Sequence, residues 1–215
     1  MTAEELMSSS VPQKALEKDI ENAITGILER KENENEQFAC EHKLKTVWNE
    51  NQHLEKLLEG HLSPEQIDFV RGNLIKVLST LIWIDWHRWS EFQRIFLDHC
   101  NSEGRRDRLD DSLPIEDREQ LADSSFLADS ASARHFLVGQ HVFLPIPIEE
   151  HEDQIYSKTR RLPFIRESGE IRGGSYGQVS KEVVACRYFI HKQLNSPPCP
   201  SQAVSQVPAV DLGFN

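Results

Sequence analysis

GHLSPEQIDFVRGNLIKVLSTLIWI, Gly60 to Ile84, decides how the first half of this chain reads. Ser63 suits a helix N-cap, Pro64 the first helical position, and Gln66 can reach back to the Ser63 amide to complete a capping box. Beyond this start, Ile67, Val70, Leu74, Val77, Leu81 and Ile84 step by three and four, which predicts a long helix running to about Asp98. Working back from Gly60, residues 13–59 carry a matching pattern. Leu16, Ile20, Ala23, Ile24, Ile27 and Leu28 form one stripe; Leu44, Val47, Asn51, Leu54 and Leu58 continue it. Two such segments joined by a capped turn predict a mainly α fold, with a long antiparallel helical pair occupying a helical region at 13–99. A pair of this kind without catalytic side chains also suits a non-catalytic interaction module that binds a protein partner through the helical region.

Trp83, Trp86 and Trp89 crowd the end of the second segment with Phe92 and Phe96. Aromatic residues at helical spacing usually cover a core, and that is the expectation here; a partner groove is the alternative. Residues 100–133 are polar and charged, so they read as a linker with one short helical candidate at 115–122. HFLVGQHVFLPIPI, residues 135–148, is apolar and carries Pro145 and Pro147, which predicts an extended, edge or irregular segment. The Pro, Ser and Gln-rich residues after Gln193 read as a disordered tail at 194–215.

Composition narrows the function classes. A net charge of −11 argues against a nucleic-acid or anionic-membrane binder, since such partners would be repelled by most of the surface. The charge is uneven, however: eight lysines and arginines face three glutamates between Lys158 and Lys192. The N-terminus has no basic and apolar leader pattern, and the most apolar run, Val77 to Ile84, is far shorter than the ~20 residues a spanning helix needs. A cytoplasmic or nuclear location is therefore expected. Four cysteines without a C-x-x-C pair, and nine histidines without H-E-x-x-H spacing, give no metal or disulfide framework.

The basic stretch holds the most informative residues, IRESGEIRGGSYGQVSKEVVACRYF, Ile165 to Phe189. Glycine lets backbone N–H groups approach phosphate oxygens without interference from Cβ, and the element after such a loop separates the classes. Rossmann and Walker loops run into a helix, whereas Gln178 to Val184 favour a strand, and no G-K-[ST] is present. A strand, a glycine loop and a second strand remain. A plain hairpin whose glycines only make the turn fits the same residues.

The loop resembles the protein-kinase pattern G-x-G-x-x-G-x-V: Gly174, Gly177 and Val179 fit, Tyr176 is the aromatic tip, and Arg172 stands where the first glycine belongs, with Gly173 displaced by one. Around it, Phe136, Gln140 and Phe143 with Pro145, then Leu162, Pro163 and Phe164, then GGSYGQV, occur in the order found in a large group of fungal proteins. Those proteins have a variable helical N-terminal region followed by a protein-kinase-like domain. The resemblance covers about residues 134–192 and implies a partial N-lobe at 134–193. It implies that Gly173, Gly174, Ser175 and Gly177 are the phosphate-covering backbone and Ile171 and Val179 the adenine-facing apolar pair. ATP and Mg²⁺ are implied by the family alone, and neither is expected to bind tightly. Val184, Ala185, Cys186 and Arg187 imitate V-A-x-K with arginine for lysine, but eight positions after Val179 leave too little room for the strands required. No H-R-D-x-x-x-x-N occurs, and Asp211, Leu212 and Gly213 only mimic D-F-G. The expectation is a kinase-like domain that begins here and is not finished, inactive by itself and without catalytic residues.

Overall fold

A computed structural model describes residues 10–30, 37–100, 103–104, 106–115, 127, 130–149, 161–167, 172–174, 177–179, 182–185 and 187–190. In chain order the α-helices are α1 (Ser10–Ile27), α2 (Glu41–Asn49), α3 (His53–Leu58), α4 (Pro64–Asn73), α5 (Ile75–Trp83) and α6 (Ser130–Gly139). The strands are β1 (Glu29–Arg30), β2 (Gln37–Phe38), β3 (Ile148–Glu149), β4 (Phe164–Glu167), β5 (Arg172–Gly174), β6 (Gly177–Val179), β7 (Glu182–Val184) and β8 (Phe189–Ile190). The fold is mainly helical, with small strands. Among the described residues no helix is long and apolar enough to cross a membrane.

The capping box forms as its sequence predicts. Ser63 Oγ accepts from the Gln66 amide at 3.3 Å, and Gln66 Oε1 accepts from the Ser63 amide at 2.8 Å. Gly60 closes the preceding helix at φ 77°, a left-handed conformation that favours glycine, while the Leu58 carbonyl accepts from His61 and Leu62.

The long antiparallel pair is not what forms. The first segment stops at Ile27, because Lys31 to Glu36 contain no apolar residue to continue its stripe. The chain instead pairs β1 with β2 antiparallel, Glu29 opposite Phe38, before α2 begins at Glu41. The second segment breaks at Leu74, whose φ of −137° leaves the helical region. Gly72 and Asn73, both weak helix formers, precede the break, and Asn73 Nδ2 donates to the Phe69 carbonyl. A further break follows Trp83, where Asp85 adopts φ 60°. A 3₁₀ turn (Trp89–Glu91) and a π-helical turn (Gln93–Leu97) take the place of the continued helix.

These breaks let shorter helices surround one core instead of zipping along a seam. Ile20, Ile24, Leu44, Trp48, Leu54, Leu58, Val70, Leu74, Leu78 and Leu81 are buried together in it. Trp48 Nε1 donates to Ser79 Oγ at 2.9 Å, so this indole N–H is paired at the centre of the core. The tryptophans behave as core: Trp86 and Trp89 are buried and meet edge to face with ring centroids 5.1 Å apart. Trp83 packs edge-on against Phe143 at 6.2 Å.

Two stretches are more structured than their composition suggested. Described residues in the expected linker strap onto the core. Leu109 and Leu113 pack against it, Ile115 and Leu127 are buried in it, and Arg108 donates to the Ile95 carbonyl at 3.1 Å. The helical candidate at 115–122 lies outside the described residues except for Ile115. In HFLVGQHVFLPIPI the chain is helical, not extended, through Gly139 and then 3₁₀ to Phe143. Phe136 and Phe143 both face the main core, and helical spacing is what brings them there. Gly139 permits the close approach to α5, since a Cβ there would lie 3.1 Å from Ile84 Cγ2 and 3.3 Å from Trp83 Cδ1. Only from Leu144, where Pro145 and Pro147 remove donors, does the segment extend.

Candidate functional site

The glycines lie on paired strands. β5 and β6 run antiparallel with Arg172 opposite Val179, Gly173 opposite Gln178 and Gly174 opposite Gly177, and two residues separate the last pair. β4 and β7 pair antiparallel in nearly the same register, Glu167 opposite Glu182 and Phe164 opposite Val184, with a shift between Phe164 and Arg166. The pairing thus nests, with the glycines at the inner end and Phe164 and Val184 at the outer end. Of the residues that the resemblance singles out, Gly173, Gly174, Gly177 and Val179 stand on these strands. Ile171 and Ser175 lie outside the described residues.

At its outer end the hairpin is held by the helical part of the molecule. The Ala185 amide donates to the Pro163 carbonyl at 2.8 Å and extends the ladder by one rung. Ala185 is buried with Phe38 and Cys40, and Ile165 and Tyr188 pack against that cluster. The Glu41 amide, in the first turn of α2, donates to Tyr188 Oη at 3.3 Å. Burial pushes the Tyr188 phenol up to about 12. The Ile148 amide donates to the Tyr188 carbonyl at 2.6 Å beside the parallel β3–β8 bridge. Close by, Glu29 Oε1 accepts from Lys43 Nζ at 2.6 Å, and this bond raises the Lys43 ammonium above its ordinary value.

The imitation of V-A-x-K is explained by this packing. Val184 and Ala185 are apolar because they are buried at the dock, and Arg187 is an exposed residue with φ 72°. Cys186 lies outside the described residues. The phrase built on Phe136, Gln140 and Phe143 likewise has a structural role in this chain. Gln140, 1% exposed, donates through Nε2 to the Ile115 carbonyl and accepts at Oε1 from the Ile115 amide, both at 2.9 Å. One side chain thereby pairs both backbone groups of the strap while the two phenylalanines fill the core.

A second polar cluster escaped the sequence reading. Glu17 is 8% exposed, accepts from Trp89 Nε1 at 2.7 Å, and faces His87 Nδ1 at 2.6 Å. His87 Nε2 lies 3.2 Å from Asp85. These groups border a shallow cavity of about 230 Å³ shared with Lys14, Lys18 and Trp86. The available signal was position: Glu17 lies three residues before Ile20 and seven before Ile24, on the buried stripe of α1. Among the described residues no group of three or more His, Cys, Asp or Glu could hold a metal ion.

No family model, no curated protein and no solved structure matches this chain.

Proposed function

We propose that this chain is a protein-kinase-like protein whose glycine hairpin is the nucleotide-covering loop of a kinase-like N-lobe, and that these 215 residues are inactive by themselves. The carrying observation is the setting of the glycines. They lie at the inner end of an antiparallel strand pair with Gly174 opposite Gly177, and a strand, not a helix, follows them. That is the backbone arrangement in which a kinase loop covers phosphates, and it differs from the strand-to-helix turn that Walker and Rossmann loops require. The order of the two preceding phrases and the loop supports the same reading. Backbone N–H groups of Gly173, Gly174, Ser175 and Gly177 would face the phosphates, and Ile171 and Val179 the adenine. ATP with Mg²⁺ is the implied ligand.

Loop amides without a lysine and metal-binding carboxylates leave most of the binding free energy unrealised. ATP should therefore bind at about millimolar Kd, roughly −4 kcal/mol. A titration of the ¹⁵N-labelled chain with MgATP should shift glycine-loop resonances, and Gly174→Asp with Gly177→Asp should remove the shifts. Shifts that persist in the double variant, or none at all at ~10 mM ATP, several times that Kd, would dismiss the proposal.

A further inference from the structure

We infer that the helical region is an intramolecular clamp on the outer end of the glycine hairpin, with Tyr188 as the positioning residue that joins them. Three observations carry this. First, the hairpin end does not merge into the main core. Phe38, Cys40 and Ala185, with Ile165 and Tyr188 against them, form a separate apolar cluster. Such a satellite cluster can open locally while the main core stays closed.

Second, the joining bond is directional. The first amides of a helix lack intrahelical acceptors, and Cys40, at the N-cap of α2, supplies no side-chain cap. Tyr188 Oη, far away in sequence, accepts from the Glu41 amide instead. Docking the hairpin thus satisfies a helix start that local residues leave open. The same glutamate ties α2 to α5, since Glu41 Oε2 lies 3.0 Å from Lys76 Nζ. Its carboxyl is held below the usual range by Lys45 first and then by Lys76.

Third, both backbone groups of Tyr188 are paired at the dock. Its carbonyl accepts from Ile148 and its amide donates to the Ala185 carbonyl at 3.1 Å. Pulling the Tyr188 backbone away would break the turn bond to Ala185 and the bond from Ile148 together. The clamp therefore acts at the outer end of the nested strands, and the glycine pair at the inner end inherits its order through the β4–β7 and β5–β6 ladders. The clamp rests on contacts alone; its consequence for nucleotide rests on the proposed function above.

The test is hydrogen exchange read by mass spectrometry on the full chain, comparing wild type with Tyr188→Ala and Tyr188→Phe. Tyr188→Ala should speed exchange in peptides spanning 164–184 by at least about tenfold while α5 peptides change less than about twofold. Tyr188→Phe keeps the ring and loses the acceptor, so it should fold as wild type and give a smaller rise in the same peptides. Unchanged hairpin exchange in both variants would overturn the clamp. So would an equal rise in hairpin and α5 peptides, because the dock would then be part of one cooperative core. MgATP titrated into the ¹⁵N-labelled wild-type chain separates the two ideas: faster hairpin exchange in Tyr188→Ala, with no nucleotide shifts in the wild type, retains the clamp and dismisses the nucleotide reading.

Discussion

Asp110 shows how much a single residue can add that its neighbours in sequence do not announce. It lies in a charged run, yet its carboxylate accepts from the Lys76 amide at 3.0 Å and the Val77 amide at 2.9 Å, capping α5 from 33 and 34 residues away. Burial raises its carboxyl from 3.8 to about 6, against the lowering effect of those two amides. The folded chain consequently holds this proton more tightly than the unfolded chain between those values. Its contribution to stability is fully present below about pH 4 and is lost as pH rises through about 6. Asp110→Asn should remove that slope. The wild-type-minus-variant difference in unfolding free energy should fall by on the order of 2 kcal/mol between pH 4 and pH 7, measured by urea denaturation. Glu17 makes the complementary case. Glu17→Ala leaves the buried Trp89 indole N–H without its acceptor and should cost about 2–3 kcal/mol, with the Trp89 fluorescence reporting the change. Glu17→Gln, which keeps an acceptor, should cost less.

The elements divide into those with a local signal and those without one. The start of α4 was readable because a capping box is a short-range device: Ser63, Pro64 and Gln66 act within one turn. Ser63→Ala should destabilise the chain by about 1 kcal/mol in thermal or chemical melts. The breaks at Leu74 and after Trp83 were not readable, since the three-and-four spacing of apolar residues runs through both. A helix that bends at Leu74 still presents Val70, Leu74 and Val77 to the core, so the pattern alone cannot tell a straight helix from a folded one. Leu74 is fully buried at that corner, and Leu74→Asp should abolish cooperative melting followed by circular dichroism, because no cation faces the new carboxylate within the apolar cluster that surrounds it. HFLVGQHVFLPIPI misled for a related reason. Its β-branched and aromatic residues favour a strand in isolation, but burial of Phe136 and Phe143 against α5 outweighs that modest preference.

At the level of the whole molecule, the helices from α1 to α6 and the turn ending at Phe143 build one main core, while Phe38 and Cys40 belong to the separate cluster at the hairpin dock. A fragment of residues 10–98 lacks Ile115, Leu127, Phe136, Val142 and Phe143, all of which are buried in that core. It should retain helical dichroism but melt broadly, whereas residues 10–149 should melt cooperatively. For the glycine hairpin the corresponding expectation is chemical. Phosphoryl transfer depends on metal ions and a positioned base, and no H-R-D-x-x-x-x-N occurs in the 215 residues. The chain incubated with labelled ATP, Mg²⁺ and a generic acceptor should show no incorporation above the Gly174→Asp, Gly177→Asp control. Incorporation that the double substitution eliminates would make the chain an active transferase.

Sequence alone determined the features that are settled within a turn or a stripe: a mainly helical chain, the capped start at Ser63, the buried tryptophans, and a strand after the glycine loop. Each arises from forces acting between residues a few positions apart, which periodicity and capping chemistry report. Tertiary structure decided which helix Asp110 caps. It also decided that Gln140 pins Ile115 and that Tyr188 joins the hairpin to α2. Those outcomes depend on contacts between residues 25 to 147 positions apart. No local pattern encodes such a contact, because its stabilisation exists only once a common core has brought both partners out of water.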